Sequence, residues 1–233
     1  MTIHNSQHPN LNQVTLLRTR RGRERSGRFV AEGEDLVAAA KANGWQAVDS
    51  FVAEGSGLEG TEVSESALAE VSALGSGTRA LAIYDQRWAN PAGPLALWLH
   101  GVGDPGNVGT IIRSAHAFGA SSVILGAGSA DPFGPKAVRA SMGAIFSVAV
   151  ARAEQSDDLP GTTVALAASA ELELDGAPWP QDGLTLLIGA EREGLPAAVI
   201  AGADQARSIS IAGDSLNAAM AATIALYSCT RKV

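Results

Sequence analysis

The run from Leu95 to Gly119, LALWLHGVGDPGNVGTIIRSAHAFG, decides the fold. Leu95 to Leu99 is short and wholly apolar, which predicts a strand buried on both faces. Pro105 and Gly106 form a turn, and Asn107 is suited to cap the helix that follows. Val108, Ile111, Ile112 and Ala115 then repeat at helical spacing up to Phe118 and Gly119. Ser122 to Leu125 is a second apolar strand. Strand, helix and strand in this order are the grammar of a parallel sheet with crossover helices.

Outward from this unit the alternation continues. Phe146 to Val150, Thr163 to Ala167, Leu184 to Ile188 and Ser208 to Ile211 predict further strands. A long helix from Ser215 to about Thr230 closes the chain, with Asp214 or Ser215 as its cap. Toward the N-terminus, Phe29 to Ala31, Ala47 to Val52 and Ala80 to Tyr84 read as strands. Glu34 to Asn43, closed by Gly44, and Ser66 to Leu74, ending at Gly75, read as helices. Trp88 to Pro94 is rich in Pro and Gly and aperiodic, so it divides residues 1–90 from residues 95–233. The fold class expected is α/β, with a mostly parallel sheet in the second part and a small α/β unit before it.

Composition narrows the function. The 233 residues are 46% hydrophobic and 18% charged, and no stretch approaches about 20 apolar residues. The first 30 residues carry several Arg and no apolar core, so neither a membrane span nor a secretory signal is expected, and a cytoplasmic location is. Cys229 is the single cysteine, and His4, His8, His100 and His116 share no ligand spacing; no metal site is expected. A net charge of −7 excludes a uniformly basic nucleic-acid binder, so contact with phosphate must rest on a local patch. Arg18, Arg20, Arg21, Arg23, Arg25 and Arg28 form one, with Glu24 as the only acid among them. The run reads either as an RNA-binding patch or as a solvated arm.

Three segments carry candidate chemistry. The first, Gly101-Val-Gly-Asp-Pro-Gly106, matches the dinucleotide pattern of a nicotinamide enzyme. It lacks the acid that should end the next strand, because that strand runs into Gly126-Ala-Gly-Ser-Ala130 and Asp131 arrives too late. Read further, the same segment offers Asn107 and, off the buried stripe, Arg113, either as neighbours across a cleft or as a cap and a solvated cation. The second is LTLLIGAEREGLP, Leu184 to Pro196, which delivers Gly189 and Glu191 at the carboxyl end of an apolar strand. The third runs from Ser208 to Tyr227 and places Ser215 and Asn217 at the start of the last helix. Asn217 has no evident capping role there, which suggests that its amide makes a contact. Ala218, Ala219, Ala221 and Ala222 form a small-residue face suited to close packing, including packing against a partner chain.

In this order, DPGNVGTIIR, GAEREGL and SLN resemble the three motifs of the SpoU (TrmH-like) RNA ribose 2'-O-methyltransferases of the SPOUT superfamily. Pro135-Lys-Ala-Val-Arg-Ala-Ser-Met-Gly143 is similar to a further segment of that family, and RTRRGRERSGRFVAEGEDLV to the start of its small ribosomal-protein-like RNA-binding domain. Arg192 departs from the family, standing where a small residue is common. The resemblance implies a trefoil-knotted sheet, S-adenosylmethionine as cofactor, a homodimer, and RNA as substrate, ribosomal more than transfer. It assigns Arg113, Asn107, Glu191, Ser215 and Asn217 to the catalytic centre. Gly189, Ile209, Leu216 and Ala168 would contact the cofactor, while Lys136 and Arg139, with the Arg run, would face RNA. The alternative reading is an RNA-binding protein of the same fold without catalysis.

Overall fold

The computed structural model describes residues 2–74, 77–213 and 215–231. Its first part holds α1 (Pro9–Leu17), α2 (Arg20–Ser26), β1 (Arg28–Glu32), α3 (Glu34–Ala42), β2 (Asp49–Ala53), β3 (Thr61–Val63), α4 (Glu65–Val71) and β4 (Ala80–Asp85). The strands form one sheet in the order β1-β4-β2-β3, parallel only between β2 and β3. Two elements escape a hydrophobic-pattern reading: β3 is only three residues long, and α1 buries just Leu11, Val14 and Leu17. The expected helix from Ser66 starts one residue earlier and ends at Val71, and Gly75 lies outside the described residues. The Arg run is not a loose arm. Arg18 caps the end of α1, Arg28 begins β1, and the arginines between them fold as α2, with Thr19 accepting from the Gly22 amide as N-cap and Gly27 closing the helix in the left-handed conformation.

The second part adds β5 (Leu95–Leu99), α5 (Pro105–Ala117), β6 (Ser122–Leu125), α6 (Pro135–Ala140), β7 (Ala149–Arg152), β8 (Thr162–Leu166), β9 (Leu184–Ile188), α7 (Ala197–Gly202), β10 (Gln205–Arg207) and α8 (Ala218–Thr230). All six strands run parallel in the order β10-β8-β9-β5-β6-β7. Leu97, Leu99, Val123, Leu186 and Ile188 meet buried residues of α5 and α8 on one face. Ala96, Trp98, Ile124, Ala165 and Leu187 pack toward Val199 and Ile200 of α7 on the other. Burial on both faces is why these strands read as unbroken apolar runs. On α5, Gly109 is forced by packing, since a Cβ there would stand 2.2 Å from the Ala137 carbonyl oxygen in α6.

Two expected strands move. Ala144–Phe146 is a 3-10 turn, so β7 begins at Ala149 rather than at Phe146. The last strand is Gln205–Arg207 and not Ser208 to Ile211, because Ile209 and Ile211 leave the sheet to line a cavity.

The two sheets are joined by a common core. Along β1, Phe29 and Ala31 point into the core of the parallel sheet while Val30 points toward α1 and α4, as the two-residue period of a strand requires. Phe29 packs on Phe133 with ring centroids 4.9 Å apart, and the Trp45 indole donates to the Phe146 carbonyl at 2.9 Å.

Candidate functional site

Strand order reverses beside β5: the chain moves from β5 to β6 and β7, then returns to place β9 on the opposite flank of β5. The carboxyl ends of strands at such a switch point form the crevice where open α/β sheets bind ligands. The loops after β5, β8, β9 and β10 meet there.

At the end of β5, Asp104 caps α5 by accepting from the Asn107 amide at 3.1 Å. The cap is therefore Asp104 and not Asn107, because Pro105 and Gly106 already belong to the helix. Asn107, freed from capping, uses its side chain across the crevice. Its Nδ2 donates to Glu191 Oε1, and its Oδ1 accepts from Asn217 Nδ2 at 3.0 Å. Asn217 is itself the N-cap of α8, with Oδ1 accepting from the Ala219 and Met220 amides at 2.9 and 3.3 Å. The expected cap at Ser215 is thus corrected to Asn217, whose amide group both caps and reaches Asn107; Asp214, the other expected cap, lies outside the described residues. One hydrogen-bonded chain, Glu191–Asn107–Asn217, joins the three candidate segments.

A cavity of about 360 Å³ opens beside this chain, and Ala168, Gly189, Glu191, Ile209, Ser215 and Leu216 all line it. The volume lies within the range of about 300–1,000 Å³ common for small-molecule sites. The wall at residue 189 admits only glycine: a Cβ there would lie 2.2 Å from the Gly194 carbonyl carbon. Residues 190–194 form a closed loop, with Ala190 and Gly194 exchanging amide-to-carbonyl bonds of 3.2 and 3.0 Å.

Arg113 stands exposed on α5 and makes no hydrogen bond or ion pair among the described residues. Ser114 and Thr223, 2.7 Å apart, tie α5 to α8. Beside them a second, open cavity of about 320 Å³ is lined by Asn107, Asn217 and the partly exposed Met220 and Ile224. Lys136 Nζ lies 2.6 Å from Asp104 Oδ2. This ammonium foremost, with the backbone amides of Asn107 and Gly106, holds the Asp104 carboxyl below its ordinary value against the opposing effect of burial.

The candidate RNA-binding arginines separate into three kinds. Arg18, Arg21, Arg25 and Arg139 are exposed. Arg20 pairs with Glu24 at 2.8 Å and Arg28 with Asp85 at 3.0 Å. Arg23 is buried and is corrected to a structural residue: it lies 2.7 Å from Asp131 and donates to the Leu17 and Arg18 carbonyls. Its guanidinium cannot reach solvent, let alone a phosphate.

Sequence reasoning missed Arg207, the last residue of β10, which is buried and lines the 360 Å³ cavity. Nothing in Gly202-Ala-Asp-Gln-Ala-Arg207 sets this residue apart, because a guanidinium met by backbone carbonyls needs no partner visible in the sequence. Burial lowers its guanidinium from the ordinary value, with Asp175 opposing. Burial likewise pushes the nearby Cys229 thiol up to about 11, which leaves it protonated and unreactive at neutral pH.

Fold and site together define an open, parallel α/β protein with a cavity at its switch point and a second, smaller sheet packed against it through a shared core. Residues 94–227 match the SpoU rRNA Methylase family, to which the chain belongs, and residues 8–82 match the MRM3-like substrate binding domain. The chain is 37% identical over 140 residues to the 23S rRNA (guanosine(2553)-2'-O)-methyltransferase RlmP of Bacillus subtilis, covering 56% of each protein. It is 38% identical over 142 residues to the 23S rRNA (uridine(2479)-2'-O)-methyltransferase of Streptomyces viridochromogenes, covering 55% of this chain and 49% of that one. The chain thus spans about half the length of these curated relatives. Among solved structures, an AdoMet-bound rRNA methyltransferase from Sinorhizobium meliloti is similar with a TM-score of 0.87 at 29% identity, over 98% of this chain and 97% of the other. The SpoU methyltransferase AviRb from Streptomyces viridochromogenes, in complex with AdoMet, has a TM-score of 0.84 at 27% identity, over 96% and 97%.

Proposed function

We propose that the protein methylates a ribose 2'-hydroxyl of structured RNA, ribosomal rather than transfer, using S-adenosylmethionine. The observation that carries this reading is the Glu191–Asn107–Asn217 chain beside the 360 Å³ cavity, which joins all three motif segments at one edge of the sheet. The 2'-O-methyltransferase relatives that act on 23S rRNA and the AdoMet-bound neighbours support it.

The cavity fits the cofactor in its chemistry. Ala168, Ile209 and Leu216 offer apolar walls, and the bare backbone at Gly189 permits close approach. S-adenosylmethionine, when bound, supplies a methyl group on a sulfonium whose departure leaves a neutral thioether. No metal is needed for such a transfer. Asn107, Glu191, Ser215 and Asn217 shape the pocket, and Arg113 acts on the ribose. Its guanidinium, a permanent cation, orients the hydroxyl and offsets the charge that develops on it. The hydroxyl oxygen bonds to the methyl carbon as the sulfonium C–S bond breaks, and the hydroxyl proton passes to solvent, so most of the rate gain comes from positioning.

In this reading residues 1–90 hold RNA and residues 95–233 carry catalysis, with the loops around the cavity threaded as a trefoil knot. The protein works in the cytoplasm; no described helix is long and apolar enough to cross a membrane. The exposed Met220, Ile224 and Tyr227 of α8 seat a second copy, which light scattering should register as twice the 23.8 kDa chain mass.

The deciding experiment is transfer of a labelled methyl group to total RNA, followed by alkaline hydrolysis. Label in alkali-resistant dinucleotides of ribosomal RNA is expected. Arg113→Ala should abolish it while leaving cofactor affinity within a few fold by calorimetry. RNA binding without label would leave a non-catalytic RNA-binding protein. Loss of cofactor affinity in step with activity would remove Arg113 from the ribose.

A further inference from the structure

Resting on the reading of the 360 Å³ cavity as the cofactor site, we propose that Arg207 is a positioning residue that steadies the wall formed by residues 167–169 by clamping the far end of the same segment, residues 174–179, onto β10. Burial and saturation of the guanidinium carry the proposal. Arg207 is 1% exposed. Nη1 donates to the Leu174 and Ala177 carbonyls at 2.9 Å each, and Nη2 to the Pro178 carbonyl at 2.8 Å and Gln205 Oε1 at 3.0 Å. Nε completes the set toward the same Gln205 oxygen at 3.4 Å. All five N–H groups are engaged, so none is left to donate to a bound molecule. The role open to this side chain is to hold the segment in place.

That segment needs holding. Residues 167–178 leave β8, line the cavity at Ala167, Ala168 and Ser169, and return along β10 with no helix or strand of their own. Among the described residues, backbone bonds attach them at the base: Ala167 donates to the Arg207 carbonyl, Leu174 to that of Ser208, and Ser208 to that of Leu172. Beyond this base the fork of Arg207 binds the carbonyls of Leu174, Ala177 and Pro178, and the Trp179 ring covers its face at 4.0 Å. The Trp179 indole donates to Ser228 in α8 at 3.1 Å, and Ser228 donates to Asp175 at 2.7 Å. One guanidinium thus links β10, the loop and the last helix. A lysine would keep the charge and lose the planar fork and the stack.

A wall held in its bound shape before the ligand arrives strengthens binding by reducing the ordering required at that moment. Loss of Arg207 should therefore appear in cofactor affinity and loop exchange more than in the transfer step. The experiment uses the full-length protein, with S-adenosylhomocysteine titrated by calorimetry and amide hydrogen exchange followed without ligand. Arg207→Lys should weaken binding by roughly tenfold, the size of one lost charge-assisted hydrogen bond. It should speed exchange across 168–179, and raise KM for the cofactor far more than it lowers kcat. Trp179→Leu keeps all five donors engaged and should weaken binding by only a few fold; it carries the test if Arg207→Lys fails to fold. Faster loop exchange with unchanged affinity would overturn the proposal, leaving a purely structural clamp, and full rescue by lysine would overturn it in favour of charge alone. Failure of the unmodified protein to bind S-adenosylhomocysteine would instead strike the cofactor reading, while the exchange data would still report whether Arg207 holds the loop.

Discussion

Two arginines are buried among the described residues, and their charges are met in different ways. Arg23, in α2, faces the Asp131 carboxylate at 2.7 Å across the junction of the two sheets. Arg207, at the end of β10, is met by backbone carbonyls and one side-chain amide, and makes no ion pair among the described residues. The first arrangement joins two folded units, each of which has its own strands to support it. The second shapes a loop that has none. A buried ion pair commits both partners, because removal of either leaves the other charged and desolvated. Carbonyl dipoles lose a donor when the cation leaves, and the loop can turn them toward water.

The largest effect is expected at Arg23. Arg23→Ala should destabilise the protein by about 2–4 kcal/mol, somewhat below the range for one partner lost from a fully buried pair, because the Asp131 side chain is 16% exposed. A drop of roughly 4–16 °C in Tm would follow for a chain of this length. Replacing both partners, as in Arg23→Met with Asp131→Leu, should recover much of that loss because no buried charge is left unmatched. Arg21→Ala, on the exposed side of the same helix, should stay within about 0.5 kcal/mol of the parent. Thermal melts of the four proteins decide it; equal losses in Arg23→Ala and Arg21→Ala would show that burial does not separate these residues.

The exposed arginines sharpen the contrast in binding rather than in folding. If Arg18, Arg21 and Arg25 neutralise phosphates, changing all three to Ala should flatten the slope of log affinity against log salt by about 2 to 3 units. Phosphate contacts carry no base identity, so ribosomal and unrelated RNA should lose affinity alike and the methylated nucleotide should not change. An unaltered slope would move RNA recognition to the neighbourhood of Lys136 and Arg139.

These residues also show which parts of the molecule are legible in its sequence. The parallel sheet was legible because strands buried on both faces are written as unbroken apolar runs, as in Leu95–Leu99 and Leu184–Ile188. Asn107, Glu191 and Asn217 stood out because each is a polar residue at the end of an apolar element, where a side chain has little local work to do. Their capping roles were misread, since Asp, Asn and Ser two or three positions apart are equally good caps and only backbone geometry chooses among them. In the Arg run six like residues carry no internal distinction, and the turn of α2 alone decides that Arg23 points inward. Arg207 stayed hidden because its partners are carbonyls, which every residue possesses.

The Lys136–Asp104 pair shows a third way of meeting a charge, at the surface, and should give the smallest effect. Both side chains are substantially exposed, and exposed pairs contribute at most about 1 kcal/mol. Its signature is the pH dependence. The Asp104 carboxyl titrates below its ordinary value of 3.8 in the folded protein, chiefly through Lys136, whereas in the unfolded chain it titrates at that ordinary value. A depressed folded value means that the stabilisation is fully present above about pH 4 and is lost as pH falls through the lowered value. Asp104→Asn keeps an oxygen able to cap α5 but removes the charge that meets Lys136. The gap in urea midpoint between parent and variant should therefore be constant from pH 7 to pH 5 and narrow toward pH 3. A gap that persists at pH 3 would show that the cap, and not the ion pair, accounts for the difference, leaving Lys136 to contribute its charge to RNA alone.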